Sequence, residues 1–304
     1  METLSPKQPK WLIIFAYLMV YIIWGSTYLA IRFSVETIPP LLSGGIRFLA
    51  AGAILLCVRL FQRRELPTAR GWRFAFRAAL LPFALTYGLI TTAELVVPSS
   101  VAALLVAIEP LWFCLVGWLL FKGKKPLLRH YAGIALGFAG VCVLVVGDPN
   151  VELSFESRYT LWMVLLLLSS LTWVIGAFVS ADPRIHSDAL TSSGMQMFCG
   201  GTVMMLSQYA LSLATGNYPQ FHAFSARSAL ALGYLVIFGS LVAYSSFLWL
   251  MRVEPANRVA THAFVNPVVA VLLGWLLGGE ALHMNMLLAL PLVIASVILM
   301  IWEP

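Results

Sequence analysis

The chain has 304 residues, of which 61% are hydrophobic and only 11% are charged, and its mean hydropathy is +0.89. Soluble proteins carry about 25% charged residues, so this composition excludes a soluble chain and predicts a polytopic helical membrane protein. The net charge of +6 does not indicate a nucleic-acid partner, because the basic residues flank apolar runs and no soluble platform with stacking aromatic residues presents them.

The first apolar run follows Lys7 and Lys10. It is too long for a signal-peptide core and has no small-residue cleavage site, so we interpret it as a retained span. The predicted spans in chain order are 11–31, 40–60, 74–95, 99–121, 128–147, 160–180, 189–214, 228–251, 256–277 and 282–302. Runs of about 20 residues suit helices and are about twice the length of barrel strands. The predicted fold is therefore an all-α membrane protein with ten transmembrane helices.

The distribution of Lys and Arg predicts the orientation. Most of these 19 residues fall on the N-terminal tail and the even-numbered connections. They are Lys7, Lys10, Arg59, Arg63, Arg64, Arg70, Arg73, Arg77, Lys122, Lys124, Lys125, Arg129, Arg184, Arg252 and Arg258. The odd-numbered connections hold only Arg32, Arg158 and Arg227, and the central one is acidic. Both termini are therefore predicted to be cytoplasmic.

An internal repeat divides the chain into two halves, 11–147 and 160–302. An offset of 157 residues superimposes Pro98 on Pro255, Ala103 on Ala260, Pro110 on Pro267, Gly117 on Gly274 and Trp118 on Trp275. A slightly different offset pairs Trp24 with Trp173. Because each half has five predicted spans, an odd number, the second half would enter the membrane inverted. Inverted repeats serve alternating access around a midplane site, so transport is the leading function, with Pro98, Pro110, Pro255 and Pro267 as hinge candidates.

Three segments carry a family resemblance. They are Tyr21-Ile-Ile-Trp24-Gly-Ser-Thr-Tyr28, Gly45-Ile-Arg47-Phe-Leu-Ala-Ala51 and Phe264-Val-Asn266-Pro267-Val-Val-Ala-Val-Leu-Leu-Gly274, the last followed by Gly279-Glu280. Together they resemble the ten-helix EamA-type exporters of the drug/metabolite transporter superfamily. The resemblance implies a bacterial inner-membrane exporter of amino acids or other small metabolites. The first half reads Gly123-Lys124 where the second reads Gly279-Glu280, so we interpret Glu280 as a charge near the start of the last helix.

Ionisable and polar residues inside the spans are candidate binding groups. Glu109 precedes Pro110, whose ring removes a backbone hydrogen bond. It could attract a substrate ammonium or exchange a proton, or it could be a hydrogen-bonded core residue. His262 and Asn266 lie one helical turn apart and could bind the backbone of an amino acid or join two helices. For Arg47, a structural tie is favoured over binding of a substrate carboxylate.

Four aromatic residues inside the spans are candidates for an apolar cavity wall. These residues are Trp24, Tyr87, Trp173 and Tyr244. Aromatic core packing is the equally weighted alternative. An aromatic wall suits two substrate classes, amino acids and drugs or other toxic small molecules, and the first is preferred here because of the family resemblance.

Other functions lack the residues that they need. An enzyme is not expected, because no nucleophile, acid–base pair or metal-binding motif converges. The four cysteines, Cys57, Cys114, Cys142 and Cys199, are isolated in apolar stretches, which predicts no metal site. An inverted repeat favours a carrier over a channel. The expected partners are a small-molecule substrate and membrane lipid, with no cofactor. Exchange of protons and facilitated transport are left as alternatives.

Overall fold

A computed structural model of the protein describes residues 9–121, 123, 125, 127–146 and 157–301. The described residues are helical and contain no strand. Their ten longest helices are α1 (Lys10–Val35), α2 (Pro40–Phe61), α3 (Ala69–Ala93), α4 (Ser99–Phe121), α5 (Leu128–Val146), α6 (Arg158–Ser180), α7 (Ala189–Thr215), α8 (Ala226–Val253), α9 (His262–Gly278) and α10 (Met284–Ile301). Lys7, Lys122, Lys124 and the acidic residues of the central connection lie outside the described residues.

Seven of these helices, α1 to α4 and α6 to α8, are long and apolar enough to cross a membrane. The three others contain shorter apolar stretches, Leu128–Leu144, Val265–Gly278 and Met284–Ser296. Large apolar side chains such as Leu119, Leu120 and Leu277 are more than half exposed, as expected for a surface that faces lipid. The all-helical prediction is confirmed, whereas ten membrane crossings stay a prediction.

Several helices depart from regular α geometry. Wider π turns occupy Met19–Ile23 in α1, Leu80–Tyr87 in α3 and Leu235–Tyr244 in α8. The π segments of α3 and α8 both end at a tyrosine, Tyr87 or Tyr244, and the two tyrosines are 157 residues apart. Since π turns concentrate at functional sites, these segments make α1, α3 and α8 candidates to form a binding site.

Breaks in α4 and before α9 produce two helix starts inside the protein. In α4, Ala107 and Ile108 form a turn, and Glu109 begins the second part of the helix. A single helical turn, Ala256–Val259, precedes α9, which begins at His262. Each break places an ionisable side chain at a helix start in the interior.

The four prolines predicted as hinges fall at two kinds of position. Pro98 and Pro255 have extended backbones and directly precede helix starts. Pro110 is the second residue of the part of α4 that follows the break, and Pro267 lies inside α9. Proline suits a first turn, whose N–H groups have no helical partner, but inside a helix it leaves a carbonyl without its bond. Their role as hinges stays a prediction.

Helices α2 and α7 pack at close range through small residues. A Cβ atom on Gly201 would lie 2.3 Å from the backbone nitrogen of Leu49, and one on Gly52 would lie 2.4 Å from that of Phe198. A larger side chain at either position would push the two backbones apart. Such contacts provide the van der Waals packing that holds helices together where lipid is as apolar as their side chains.

The Glu280 carboxylate joins the end of α9 to the start of α4. Gly279 has a φ of +65°, which a glycine adopts readily, and the Glu280 N–H donates to the Gly274 carbonyl at 3.0 Å. The Glu280 side chain then accepts hydrogen bonds from the backbone and hydroxyl of Ser99, at 2.8 and 2.6 Å, and from the backbone of Ser100 at 3.1 Å. The interpretation of Glu280 as a charge of the last helix is therefore wrong, because the turn at Gly279 directs it to α4.

Hydrogen bonding stabilises the ionised form of Glu280. Burial alone would raise the pKa of this carboxyl, but the hydrogen bonds from Ser100 and Ser99 outweigh it, so the pKa lies below its ordinary 4.5. A carboxylate at a helix start also interacts favourably with the helix dipole. Its contribution to the free energy of unfolding is complete above the ordinary pKa and is lost as pH falls through the lower folded-state pKa.

We expect Glu280→Ala to lower the free energy of unfolding by about 3 kcal/mol at pH 7, because buried donors lose a charged acceptor. The difference from wild type should shrink as the pH falls below 4.5. Thermal unfolding of the detergent-solubilised protein measures this effect. The matched control is Glu36→Ala, which removes an exposed ion pair with Arg227 at 3.4 Å and should change little. Equal losses for both variants would contradict the prediction.

Candidate functional site

A cavity of about 40 Å³ lies between α1, α3, α4, α6 and α9. Six of the seven predicted binding residues line it. Its lining residues are Trp24, Thr27, Tyr28, Ile31, Thr86, Tyr87, Ile90, Val106, Glu109, Trp173, His262 and Asn266. Ligand pockets have volumes of about 300 Å³ or more, so this cavity must widen to admit a ligand.

Aromatic rings form one wall of the cavity. The rings of Trp24 and Trp173 meet edge to face with centroids 5.4 Å apart, and Tyr87 meets Trp173 at 6.0 Å. The indole N–H of Trp24 donates to the Gly239 carbonyl at 3.2 Å, which fixes the ring beside the π segment of α8. The pseudo-equivalent tryptophans of the two halves therefore touch each other at the cavity.

Tyr244 does not line the cavity, which corrects its assignment to the wall. Its ring lies behind Trp173, with centroids 6.4 Å apart, and its hydroxyl donates to Oε1 of Gln196 at 3.3 Å. This hydrogen bond directs the phenol to α7 and away from the cavity. Tyr244 supports the wall by packing against Trp173, and residue type alone could not separate this position from that of Tyr87.

Glu109 and His262 form the ionisable part of the cavity. Oε2 of Glu109 lies 3.6 Å from Nε2 of His262, and both side chains are more than nine-tenths buried. The His262 ring stacks on Phe247 with centroids 5.8 Å apart. Nδ1 of His262 has no hydrogen-bond partner within the described residues. At this distance the two groups are not hydrogen-bonded to each other, and the carboxylate can bind a ligand cation.

Asn266 joins α9 to α1. With its amide nitrogen facing two carbonyls, it donates to His262 at 3.2 Å and to Tyr21 at 3.0 Å. The Tyr21 hydroxyl in turn bonds to Thr261. Asn266 therefore holds two helices together at the cavity, in agreement with the alternative in which the His262 and Asn266 pair joins helices, and it also lines the space that a ligand would enter.

Arg47 lies one side chain behind the cavity. Its guanidinium carbon is 4.9 Å from the ring centroid of Tyr87 and 4.7 Å from that of Phe48. Its Nε donates to the Ser240 hydroxyl at 2.9 Å. These contacts tie α2 to α8, which fits the structural role favoured from the sequence.

Sequence reasoning missed three lining residues with polar side chains, Thr27, Tyr28 and Thr86. Thr27, Tyr28 and Ile31 follow Trp24 at helical spacings of three, four and seven residues, so the face of α1 could have been found from Trp24 alone. The Thr86 hydroxyl bonds to that of Thr172 at 2.7 Å, a contact between α3 and α6 that no spacing within one segment reveals. Among the described residues, no three His, Cys, Asp or Glu side chains could hold a metal ion.

The EamA-like transporter family matches the chain twice, at residues 10–146 and 160–302. The protein described as "Uncharacterized inner membrane transporter YedA" of Escherichia coli K12 is 38% identical, and the match covers 93% of this chain and 89% of that protein. Protein PagO of Salmonella typhimurium is 28% identical over 91% of this chain and 89% of its own length. These relatives match this chain over nearly all of both lengths.

A solved structure has a similar fold, with a TM-score of 0.66 and 19% sequence identity. The similarity covers 94% of this chain and 95% of that one. An "Uncharacterized transporter YvbV" of Bacillus subtilis is 25% identical over 91% of this chain and 88% of its own length. The division of this chain into two inverted repeats stays a prediction.

We expect Trp173→Ala to lower the free energy of unfolding by about 3 to 5 kcal/mol, because it removes a buried ring from the aromatic wall. The control is Trp275→Ala, since Trp275 is 51% exposed and packs less. Thermal unfolding in detergent, followed by the remaining tryptophan fluorescence, measures both variants. A loss for Trp173→Ala no larger than that for Trp275→Ala would show that the wall does not stabilise the fold.

Proposed function

Because the chain belongs to the EamA-like transporter family, we propose that it exports small metabolites, foremost amino acids, across a bacterial inner membrane. The observation that carries this proposal is the interior cavity, which combines an aromatic wall with one buried carboxyl and one imidazole. A few convergent polar groups in an apolar pocket are what a small polar ligand requires. The name of the 38% identical relative also describes an inner membrane transporter.

In this proposal the chain crosses the membrane ten times, with both termini cytoplasmic. Residues 11–147 and 160–302 form two inverted five-helix repeats around the cavity. The repeated break, in α4 and before α9, supports this arrangement, because the pseudo-equivalent helices are interrupted at a similar place. In an inverted repeat, the two halves exchange conformations to open the site to one side and then to the other.

Alternating access then depends on the interrupted helices. The cavity of about 40 Å³ is too small for a substrate, so we assign it to a closed state. The second part of α4 starts at Glu109 and α9 starts at His262; movement of these parts, with bending next to Pro110 and Pro267, would widen the cavity toward one side. Pro98 and Pro255 would act at the starts of the two preceding segments, Ser99–Val106 and Ala256–Val259.

Within the cavity, Glu109 would bind the substrate ammonium, and the rings of Trp24, Tyr87 and Trp173 would contact its side chain. His262 and Asn266 would offer hydrogen bonds to the remaining polar atoms. Glu109 would also exchange a proton for the substrate. His262, whose Nε2 lies 3.6 Å from Oε2 of Glu109, is its titratable neighbour and the alternative proton carrier.

Export of drugs or other toxic small molecules is the second candidate. The aromatic wall favours it, because flat apolar surfaces accept many ligands. The two candidates differ in what they need from Glu109. An amino acid needs one carboxylate at its ammonium, whereas a neutral aromatic drug needs none.

The test is counterflow of labelled amino acids in proteoliposomes that contain wild type, Glu109→Gln or the control Glu65→Gln, in which an exposed carboxylate outside the helices is changed. We expect amino-acid exchange in wild type and in the control, and about a tenfold or larger loss in Glu109→Gln, since a hydrogen bond to a charged group is removed. A wild-type response to an imposed pH gradient that disappears in Glu109→Gln would support proton exchange at this residue.

Absence of amino-acid exchange in folded wild-type protein would contradict the proposal. If the same vesicles then exchanged a lipophilic dye, the second candidate would replace it. Exchange that Glu109→Gln leaves unchanged would keep the transport function and remove the role of Glu109.

A further inference from the structure

Arg47 is a buried cation without a neighbouring anion. Its side chain is 2% exposed, and among the described residues no carboxylate oxygen lies within 4 Å of it. Its Nε donates to Ser240, but Nη1 has no hydrogen-bond partner within the same residues. A charge inside a membrane protein is costly and ordinarily has a partner or faces a pathway. The contacts with Ser240, Phe48 and Tyr87 tie α2 to α8 but leave the charge without a counterion.

In the second half of the chain, the position related to Arg47 carries no charge. At an offset of 149 residues, Ser43, Gly45 and Gly52 of α2 coincide with Ser192, Gly194 and Gly201 of α7. These matches give the alignment of the two helices three fixed points. The same offset relates Trp24 to Trp173, and it places Gln196 opposite Arg47.

Gln196 fills its position with a complete set of hydrogen bonds. Its Nε2 donates to the Ser180 carbonyl at 3.0 Å and to the Ser192 hydroxyl at 3.1 Å, and its Oε1 accepts from Tyr244 at 3.3 Å. Tyr244 is the counterpart of Tyr87, the ring beside Arg47. A neutral amide therefore meets the hydrogen-bonding needs of this position in the second half. The packing of the related helices does not require a cation at residue 47.

A tyrosine ring separates Arg47 from the cavity. Tyr87 lines the cavity and lies 4.9 Å from the guanidinium carbon. It is the last residue of the π segment in α3, where the helix is wound most loosely. On the other side, Gly239 leaves room for the guanidinium, because a Cβ there would lie 2.9 Å from Nη2 of Arg47. A turn of the Tyr87 ring away from the guanidinium would bring Arg47 into contact with the cavity.

Glu109 shows the same asymmetry as Arg47. Its counterpart at an offset of 157 residues is Asn266. Glu109 and Arg47 therefore each have an amide at the related position of the second half, whereas the buried Glu94 that follows α3 has Met251. Glu109 lines the cavity and Arg47 lies behind Tyr87 at its edge, and this pair of opposite charges matches a ligand that carries one charge of each sign.

We infer that Arg47 is the residue that selects for the substrate carboxylate. When Tyr87 turns aside, the guanidinium binds the carboxylate, while Glu109 binds the ammonium of the same molecule. This inference rests on the proposed function and deepens it, since it identifies a zwitterion with a free carboxylate as the substrate class. Arginine suits the task because its planar fork matches the two oxygens of a carboxylate.

The first experiment compares ligands that differ only in the carboxylate. Thermal stabilisation of the purified full-length protein is measured with each of the common amino acids and with the corresponding amino-acid amides, which keep the ammonium and the side chain. We expect at least one amino acid to bind wild type about 10- to 100-fold more tightly than its amide, as for loss of a charged hydrogen-bonded pair. If no amino acid binds more tightly than its amide, the inference is wrong.

The second experiment tests the residue with the same pair of ligands. Arg47→Gln introduces the side chain that α7 carries at Gln196. We expect the amino acid to bind this variant no more tightly than the amino-acid amide does. The affinity for the amino-acid amide should equal that of wild type. Arg47→Lys should keep part of the preference. Arg77→Gln is the matched control, because it makes the same change at an exposed arginine of α3, and its preference should equal that of wild type.

A structural role for Arg47 predicts a different result. Arg47→Gln would then lower the unfolding temperature and weaken both ligands equally, which would overturn the inference. A different outcome would contradict the proposed function alone. If the wild type exchanges no amino acid in proteoliposomes but retains a preference for carboxylates that depends on Arg47, export of amino acids is wrong and the inference stands.

Discussion

The need to satisfy backbone polar groups away from water governs this structure. In lipid, each N–H and C=O must find a partner within the protein, so helices can be interrupted only where other protein groups or a cavity receive the freed groups. The break in α4 and the break before α9 obey this constraint, because both lie in the interior and end at side chains of the cavity. The same interruptions supply positions for polar residues, since a helix start offers N–H groups and a favourable field for a carboxylate. The candidate site and the weak points of the helices are therefore one feature of the molecule.

The two halves share an architecture but not a charge distribution. Repeat-related aromatic residues are retained, as Trp24 and Trp173 show by their contact at 5.4 Å. By contrast, Glu109 and Arg47 have amides as their counterparts, Asn266 and Gln196. An amide can still donate and accept hydrogen bonds at these positions without the cost of a buried charge. In the proposed transport cycle, the related halves would exchange conformations, and the charges that only the first half carries would recognise the ligand.

Much of the fold and of the site could be predicted from the sequence. Hydropathy predicts apolar helices because length and composition are local properties, and the offset of 157 residues predicts which positions are related. Trp24, Tyr87, Glu109, Trp173, His262 and Asn266 are polar or aromatic residues inside apolar spans, and they meet at one cavity. The sequence could not separate Tyr244 from Tyr87, since the decision depends on a hydrogen bond to another helix, α7. It also could not direct Glu280 to α4, because the turn at Gly279 sets the direction of that side chain.

The cap formed by Glu280 makes the start of α4 more strongly held than the related helix start at Ala256. The start of α4 is held by a carboxylate from the second half, with three hydrogen bonds and Arg32 at 3.6 Å. Both halves make the same backbone turn before this point, since Gly123 donates to Gly117 as Glu280 donates to Gly274. At the related position, however, the first half has Gly123, which carries no side chain to cap the start of the helical turn at Ala256. Opening the protein near α4 would have to separate a charge from its donors, whereas the related movement near α9 would not break such a cap. Two conformations that the repeat would otherwise make equivalent are therefore expected to differ in free energy, and that difference would set which side of the membrane the unloaded cavity faces.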